Sequence, residues 1–261
     1  MGRTIAVVSG KGGVGKSTIT CGLALSLAKM GHSVCVIDLD SGLNNVDVML
    51  NIENKVVYDI SDCLNGSCRI KQALVGVSGV DNLYVLSSFG KRELDVAKFI
   101  SVIEKLTEVF EFVIMDCPAG VGVGVELALN CCSEALVVVT PHVSSLRDAD
   151  KVVGMFKGAN VGLIRVVVNR IRGDLVVGKQ MLTHSQIEKL LKVDLLGVVP
   201  DDDQINLFSS FMFKSLLQTK SMKSFNLLAH NLTTNKIEIY DYLSKYKGFI
   251  GYLRRKLKRS M

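Results

Sequence analysis

The chain has 261 residues, 48% apolar and 21% charged, which suits one α/β domain or two small ones and excludes wholesale disorder, collagen-like repeats and low-complexity architectures. No run approaches the roughly 18 apolar residues of a membrane-spanning helix, the longest being broken by Asp116, Glu126 and Pro141. The formal charge of +6 belongs to the tail: seven cations and no acid lie between Lys245 and Met261, leaving 24 basic residues against 25 acidic ones before them.

In chain order, β-rich runs alternate with helix-period stretches. Strands are predicted at Thr4–Ser9, Val34–Asp38, Leu83–Leu86, Phe112–Asp116, Ala135–Thr140, Leu163–Asn169 and Leu196–Val199. Most are continuous Val/Ile/Leu runs, as in strands buried on both faces. Helices are predicted at Ser17–Met30, Leu94–Val109, Gly124–Cys132, Ser144–Lys157 and Thr183–Leu191, and residues 206–235 read as loop plus helix. The expected fold is α/β, a doubly wound and mainly parallel sheet with helices on both faces. Pro118, Pro141 and Pro200 each fall just past a predicted strand end, where such a sheet forms its ligand crevice. Seven cysteines, with no secretory signal before the strand at Thr4, predict free thiols in a reducing cytoplasm.

The first predicted strand runs into Gly10-Lys11-Gly12-Gly13-Val14-Gly15-Lys16-Ser17-Thr18 and then a helix, matching G-x-x-x-x-G-K-[ST] in its required setting. Glycines let successive backbone N–H groups face one concavity, and the helix start favours phosphate. Lys16 would reach the β and γ phosphates of a nucleotide, and Ser17 Oγ would ligate Mg²⁺. Asp38 and Asp40 close the second strand and Asp116 the fourth. Acids at that sheet edge can hold Mg²⁺ or its waters, orient an attacking water, or simply cap a helix or turn.

Lys11-Gly12-Gly13-Val14-Gly15-Lys16-Ser17 resembles the deviant Walker A loop of the ParA/MinD family of ATPases, whose extra early lysine sits where Lys11 does. The stretches Asp38–Asp47, Asp116–Gly120 and Val143–Asp150 are similar to the septum-site-determining branch of that family, and the likeness extends over nearly the whole chain. The resemblance implies a P-loop ATPase that binds ATP with Mg²⁺ and forms a homodimer when ATP is bound. Lys11 would then reach the phosphates held by the other subunit, Asp40 would help position the hydrolytic water, and Asp38 and Asp116 would support Mg²⁺ and the switch loops. Asn169-Arg170 and Pro200-Asp201 resemble the family's adenine-side contacts. Two departures stand out: Asn44 where relatives often have Arg, and Ser209–Phe213 in place of a more polar, Gly-containing loop.

Residues 1–244 are read as the ATPase domain and 245–261 as a basic amphipathic tail. On a helical wheel Phe249, Ile250, Leu253, Leu257 and Tyr246 share one arc, with Arg254, Arg255, Lys256 and Lys258 among the cations around the rest. Eleven residues from Phe249 span about 16 Å, enough only to lie on a surface. The tail is similar to the family's membrane-targeting helix, implying peripheral attachment to anionic lipid at the inner face of the cell membrane, a MinC-like division inhibitor as partner, and a MinE-like or other topological partner. No specific nucleic acid is expected. The alternatives are a ParA-type DNA partition ATPase, against which the near-neutral domain and apolar tail residues argue, a flagellar-number regulator of the same family, and an iron–sulfur carrier using Cys131-Cys132.

Overall fold

The computed structural model describes residues 1–40, 45–87, 95–206 and 222–259, the last of these and residues 204 and 206 in part by backbone alone (255–259). The Ser41–Asn44 part of the family likeness, Leu94 at the start of a predicted helix, and Ser209–Phe213 lie outside it. The strands are β1 (Arg3–Ser9), β2 (Val34–Asp38), β3 (Val75–Gly76), β4 (Leu83–Leu86), β5 (Phe112–Ala119), β6 (Glu134–Val139), β7 (Leu163–Ile171) and β8 (Asp194–Pro200). They form one sheet in the order β3-β4-β2-β5-β1-β6-β7-β8, all parallel except the β3–β4 pair.

Helices α1 (Lys16–Lys29), α2 (Asn45–Met49) and, late in the chain, α11 (Met222–Thr234) cover one face. The other face carries α3 (Ile60–Leu64), α4 (Ile70–Ala73), α5 (Val96–Thr107), α6 (Val123–Leu129), α7 (Val143–Gly158), α8 (Gly173–Val177) and α9 (His184–Leu191). Alternation along β1 shows why both layers are needed: Ile5 and Val7 enter the core under α1, while Ala6 and Val8 enter the opposite one. The doubly wound fold is therefore the expected one. A short α10 (Asp203–Asn206) follows β8, and α12 (Gly248–Arg259) ends the described chain. No described helix is long and apolar enough to cross a membrane.

The seven predicted strands all form, with ends shifted by a few residues. Pro118 is a correction, since it lies within β5 rather than after it. The β1–β5 register shifts between Val7 and Ser9, and that irregularity accommodates a residue without an N–H. Pro200 likewise is the last residue of β8. The predicted helix at Gly124–Cys132 ends early, at Leu129, and Cys131 and Cys132 belong to the turn leading into β6.

Candidate functional site at the sheet's C-terminal edge

β1 brings the chain to the edge where β2 and β5 also end. Gly10 passes so close under α7 that a Cβ there would lie 2.1 Å from the Asp148 carbonyl carbon, which excludes any larger residue. The loop then turns through Gly13 (φ 75°) and Gly15 (φ 91°), left-handed conformations that a side chain resists. Gly15 caps α1 and has no side chain to bond the first N–H groups of that helix. The first turn is thus open to an anion.

Lys16, Ser17 and Thr18 follow in that turn and, with Gly12, Gly13 and Gly15, line one wall of a cleft of about 970 Å³, large enough for a nucleotide. Asp40, Asn45, Met49, Pro118 and Ala119 line a second wall. Lys11 is exposed and, among the described residues, is not part of the lining. Gly10 and Val14 support the loop from beneath, Val14 being buried in the core below α1.

The carboxylates behind the loop divide into two layers. Ser17 Oγ donates to Asp116 Oδ2 at 2.6 Å and Thr20 Oγ1 to Asp116 Oδ1 at 2.9 Å. Asp116 is fully buried, and burial pushes its carboxyl up to about 6, against the pull of those two hydrogen bonds and of Lys16. Asp38, paired with Asp116 across β2 and β5, accepts the Asp40 N–H at 2.9 Å and the Val46 N–H at 3.4 Å. Its burial, then the Asp116 charge, push it up to about 8. Asp38 does not line the cleft, whereas Asp40 does. A hydroxyl and two mutually repelling buried carboxylates are the hard oxygen donors that suit Mg²⁺, whose charge would offset the cost of ionising them.

A family model described as the CobQ/CobB/MinD/ParA nucleotide binding domain matches residues 5–212. The septum site-determining protein MinD of Synechocystis sp. is 36% identical over 98% of this chain and 99% of its own length. The chain belongs to the MinD branch of this nucleotide-binding family. Among solved structures, the MinC:MinD cell division protein complex of Aquifex aeolicus aligns with a TM-score of 0.85 at 31% identity, over 93% of this chain and all of that one. MinD of Pyrococcus horikoshii complexed with Mg-ADP aligns at 0.80 and 28%, over 90% and 97%. This chain is a nucleotide-binding P-loop protein of the MinD type.

On the far side of the cleft the residues read from the family likeness separate. Asn169 is buried at the end of β7, where its Nδ2 donates to the Val14 carbonyl at 2.8 Å and its Oδ1 accepts the Arg170 N–H at 2.9 Å. It braces the loop as well as standing near the cleft. Arg170 adopts φ 57° at a register shift between β7 and β8, and it lines the cleft with Asp201. Pro200, among the described residues, is not in the lining. The sequence reading missed His142, Arg172, Leu175, Met181 and Ile205, which also line the cleft. His142 follows Thr140-Pro141 just past β6 and Arg172 directly follows β7, strand-end positions that mark both in retrospect; Met181 carries no such signal.

The tail also differs in one respect. Tyr246 lies in a 3₁₀ turn (Ser244–Tyr246) before α12 and is half-buried, so it leaves the apolar face assigned to it on the wheel. Phe249, Ile250 and Leu253 are exposed at 78%, 66% and 44%, with Tyr252 beside them. The side chains of Arg255, Lys256, Leu257 and Lys258 lie outside the described set.

Proposed function

We propose that the chain is an ATPase switch that helps place the division septum, binding membrane peripherally as an ATP-loaded homodimer. The observation that carries this reading is the uncapped start of α1, with Lys16 and a Ser17–Asp116 pair in one cleft, in a chain similar to MinD over its whole length.

The loop N–H groups from Gly12 to Thr18 cradle the phosphates, and Lys16 neutralises charge on the β and γ groups. Ser17 and Asp116 would hold Mg²⁺, with Asp38 behind them, and the bound ion would supply neutralisation of phosphate charge. Asp40, on the cleft wall, orients the attacking water. Lys11, exposed and outside the lining, serves the partner copy's phosphates, as an arginine finger would. Exposed Val121, Val123 and Val143 stand at the same sheet edge, where closure of two copies would bury them. Arg170 and Asp201 flank the base, with Asn169 fixing the loop and Pro200 the turn.

Residues 1–244 form the ATPase domain and 245–261 the membrane tail. A single α12, exposing Phe249, Ile250 and Leu253 beside cations such as Arg254, binds anionic lipid weakly; two tails joined by ATP bind at high effective concentration. Hydrolysis separates the pair, so turnover times residence on the inner face of the cell membrane. The Aquifex relative was solved as a MinC:MinD complex, which supports a MinC-like inhibitor as partner; a MinE-like protein would stimulate turnover. The test is flotation with anionic vesicles. ATP should carry the protein to the vesicle fraction and ADP should not; equal flotation with both nucleotides would overturn the switch.

A further inference from the structure

Of seven cysteines, Cys21, Cys35 and Cys117 are buried, and Cys63, Cys68, Cys131 and Cys132 are half-buried. Two of these place their sulfurs in contact: Cys63 Sγ and Cys68 Sγ lie 3.4 Å apart. Cys131, by contrast, turns its Sγ–H to the Leu127 carbonyl at 3.3 Å.

The local sequence explains the contact. Cys63 is the penultimate residue of α3, and the chain reverses through Asn65-Gly66-Ser67, all exposed, with Gly66 at φ 76°. The Gly66 N–H donates to the Cys63 carbonyl and the Ser67 N–H to the Asp62 carbonyl, so the turn returns Cys68 to the end of the helix it left. A disulfide requires about 2.0 Å between sulfurs, a closing movement that side-chain rotation and an exposed turn can supply. The enclosed loop is short, so the bond adds little stability and stays open to reduction.

The same helix is tied to the cleft. At its start the Ile60 N–H donates to the Ser87 carbonyl at 2.9 Å, and Ser87 Oγ donates to Asp47 Oδ1 at 2.6 Å. Asp47 belongs to α2, whose Val46 N–H donates to Asp38 Oδ2. A pull on α3 therefore reaches the carboxylate layer through one serine.

We propose that Cys63 and Cys68 are a modification site, a dithiol that peroxide closes to an intramolecular disulfide, and that closure slows nucleotide turnover through Ser87 and α2. The site itself stands on the sulfur geometry; the effect on turnover rests on the ATPase reading above. Burial pushes the Cys63 thiol up, and Cys68, at the end of the exposed turn, is the first to meet peroxide. Its sulfur bonds to one peroxide oxygen as the O–O bond breaks, and the departing hydroxide takes a proton as water. The Cys63 sulfur then displaces the sulfenic hydroxyl: the S–S bond forms, the S–O bond breaks, and the thiol proton leaves in a second water. Two thiols lose two electrons and one peroxide becomes two waters.

The test treats the full chain with hydrogen peroxide, blocks remaining thiols, and reads intact mass, peptide map and ATP turnover before and after dithiothreitol. The expected product has lost two hydrogens, about 2 Da, maps to a Cys63–Cys68 peptide, and turns over ATP several-fold more slowly until reduced. Cys68→Ser should keep full turnover after peroxide. A disulfide elsewhere, no disulfide, or a mapped Cys63–Cys68 bond with unchanged turnover would each overturn the proposal. Absence of ATP turnover in the reduced protein would instead sink the ATPase reading, while the mass and peptide map would still decide the disulfide.

Discussion

Asn169 Nδ2 donates to the Val14 carbonyl at 2.8 Å, joining the end of β7 to the phosphate loop across 155 positions of sequence. Both groups are buried, so removing the amide leaves the carbonyl without its partner, a loss of about 1–3 kcal/mol. Asn169→Ala should lower the unfolding midpoint and weaken ATP and GTP alike, because a loosened loop affects any triphosphate. Calorimetric titration with both nucleotides checks this. A changed ATP-to-GTP preference with normal stability would return Asn169 to a purely base-reading role.

The phosphate loop was legible because its turn requires residues without Cβ at fixed positions between a strand and a helix, and Gly10, Gly13 and Gly15 each meet such a requirement. The strands were legible because a sheet covered on both faces demands unbroken Val/Ile runs. Periodicity has nothing to act on in α2, α3, α4 and α8, each of four or five residues, or in the two residues of β3. Thr20 shows a deeper limit. One turn after Ser17, it reads as an ordinary helix residue, and its role on Asp116 comes from β5, 96 positions away.

Asp38 and Asp116 give the nucleotide-free protein a defined pH response. Both carboxyls are raised from an ordinary value of 3.8, Asp38 to about 8 and Asp116 to about 6, chiefly by burial. The folded state therefore binds protons that the unfolded state has released. Their contribution to stability is full below the ordinary value and is lost as pH rises through the folded ones. Without Mg²⁺, the denaturant midpoint should fall between about pH 5 and 8, and Asp38→Asn should flatten that fall. Mg²⁺ with nucleotide should release protons near neutrality, read as buffer-dependent heat of binding. A midpoint that rises over this range would show that the two carboxyls are ionised throughout.

Lys16→Ala and Lys11→Ala should fail differently. Lys16 is buried in the cleft wall, so its loss should reduce ATP turnover by at least about 100-fold, the scale of removing one charge-stabilising donor. Lys11 is exposed and outside the lining, so Lys11→Ala should keep ADP affinity and lose the ATP dimer. Nucleotide titration and light scattering on one sample separate the two. Weak ADP binding with a normal dimer in the Lys11 variant would reverse the assignment. Asp40→Ala, if Asp40 orients water, should instead give an ATP-loaded dimer that persists on vesicles.

The tail prediction rests on how α12 is held. Gly251 packs on the preceding turn so closely that a Cβ would lie 2.2 Å from the Tyr246 carbonyl carbon, and Arg254 Nη1 donates to the Lys245 carbonyl at 3.4 Å. The start of the helix is thus fixed to the 3₁₀ turn before it while Phe249, Ile250 and Leu253 stay exposed. Deleting residues 247–261 should abolish vesicle binding and leave basal ATP turnover, because none of the groups assigned to the cleft lies in it. Cations alone are insufficient for the proposed attachment, so Phe249→Glu with Leu253→Glu should be nearly as damaging: each places a carboxylate where acyl chains should lie. Flotation with anionic vesicles and gel shift with DNA, both with ATP and at two salt concentrations, decide between surfaces. If the double variant floats normally, or if the unmodified chain shifts DNA and ignores lipid, the apolar face has no part in binding and a partition-type reading takes its place.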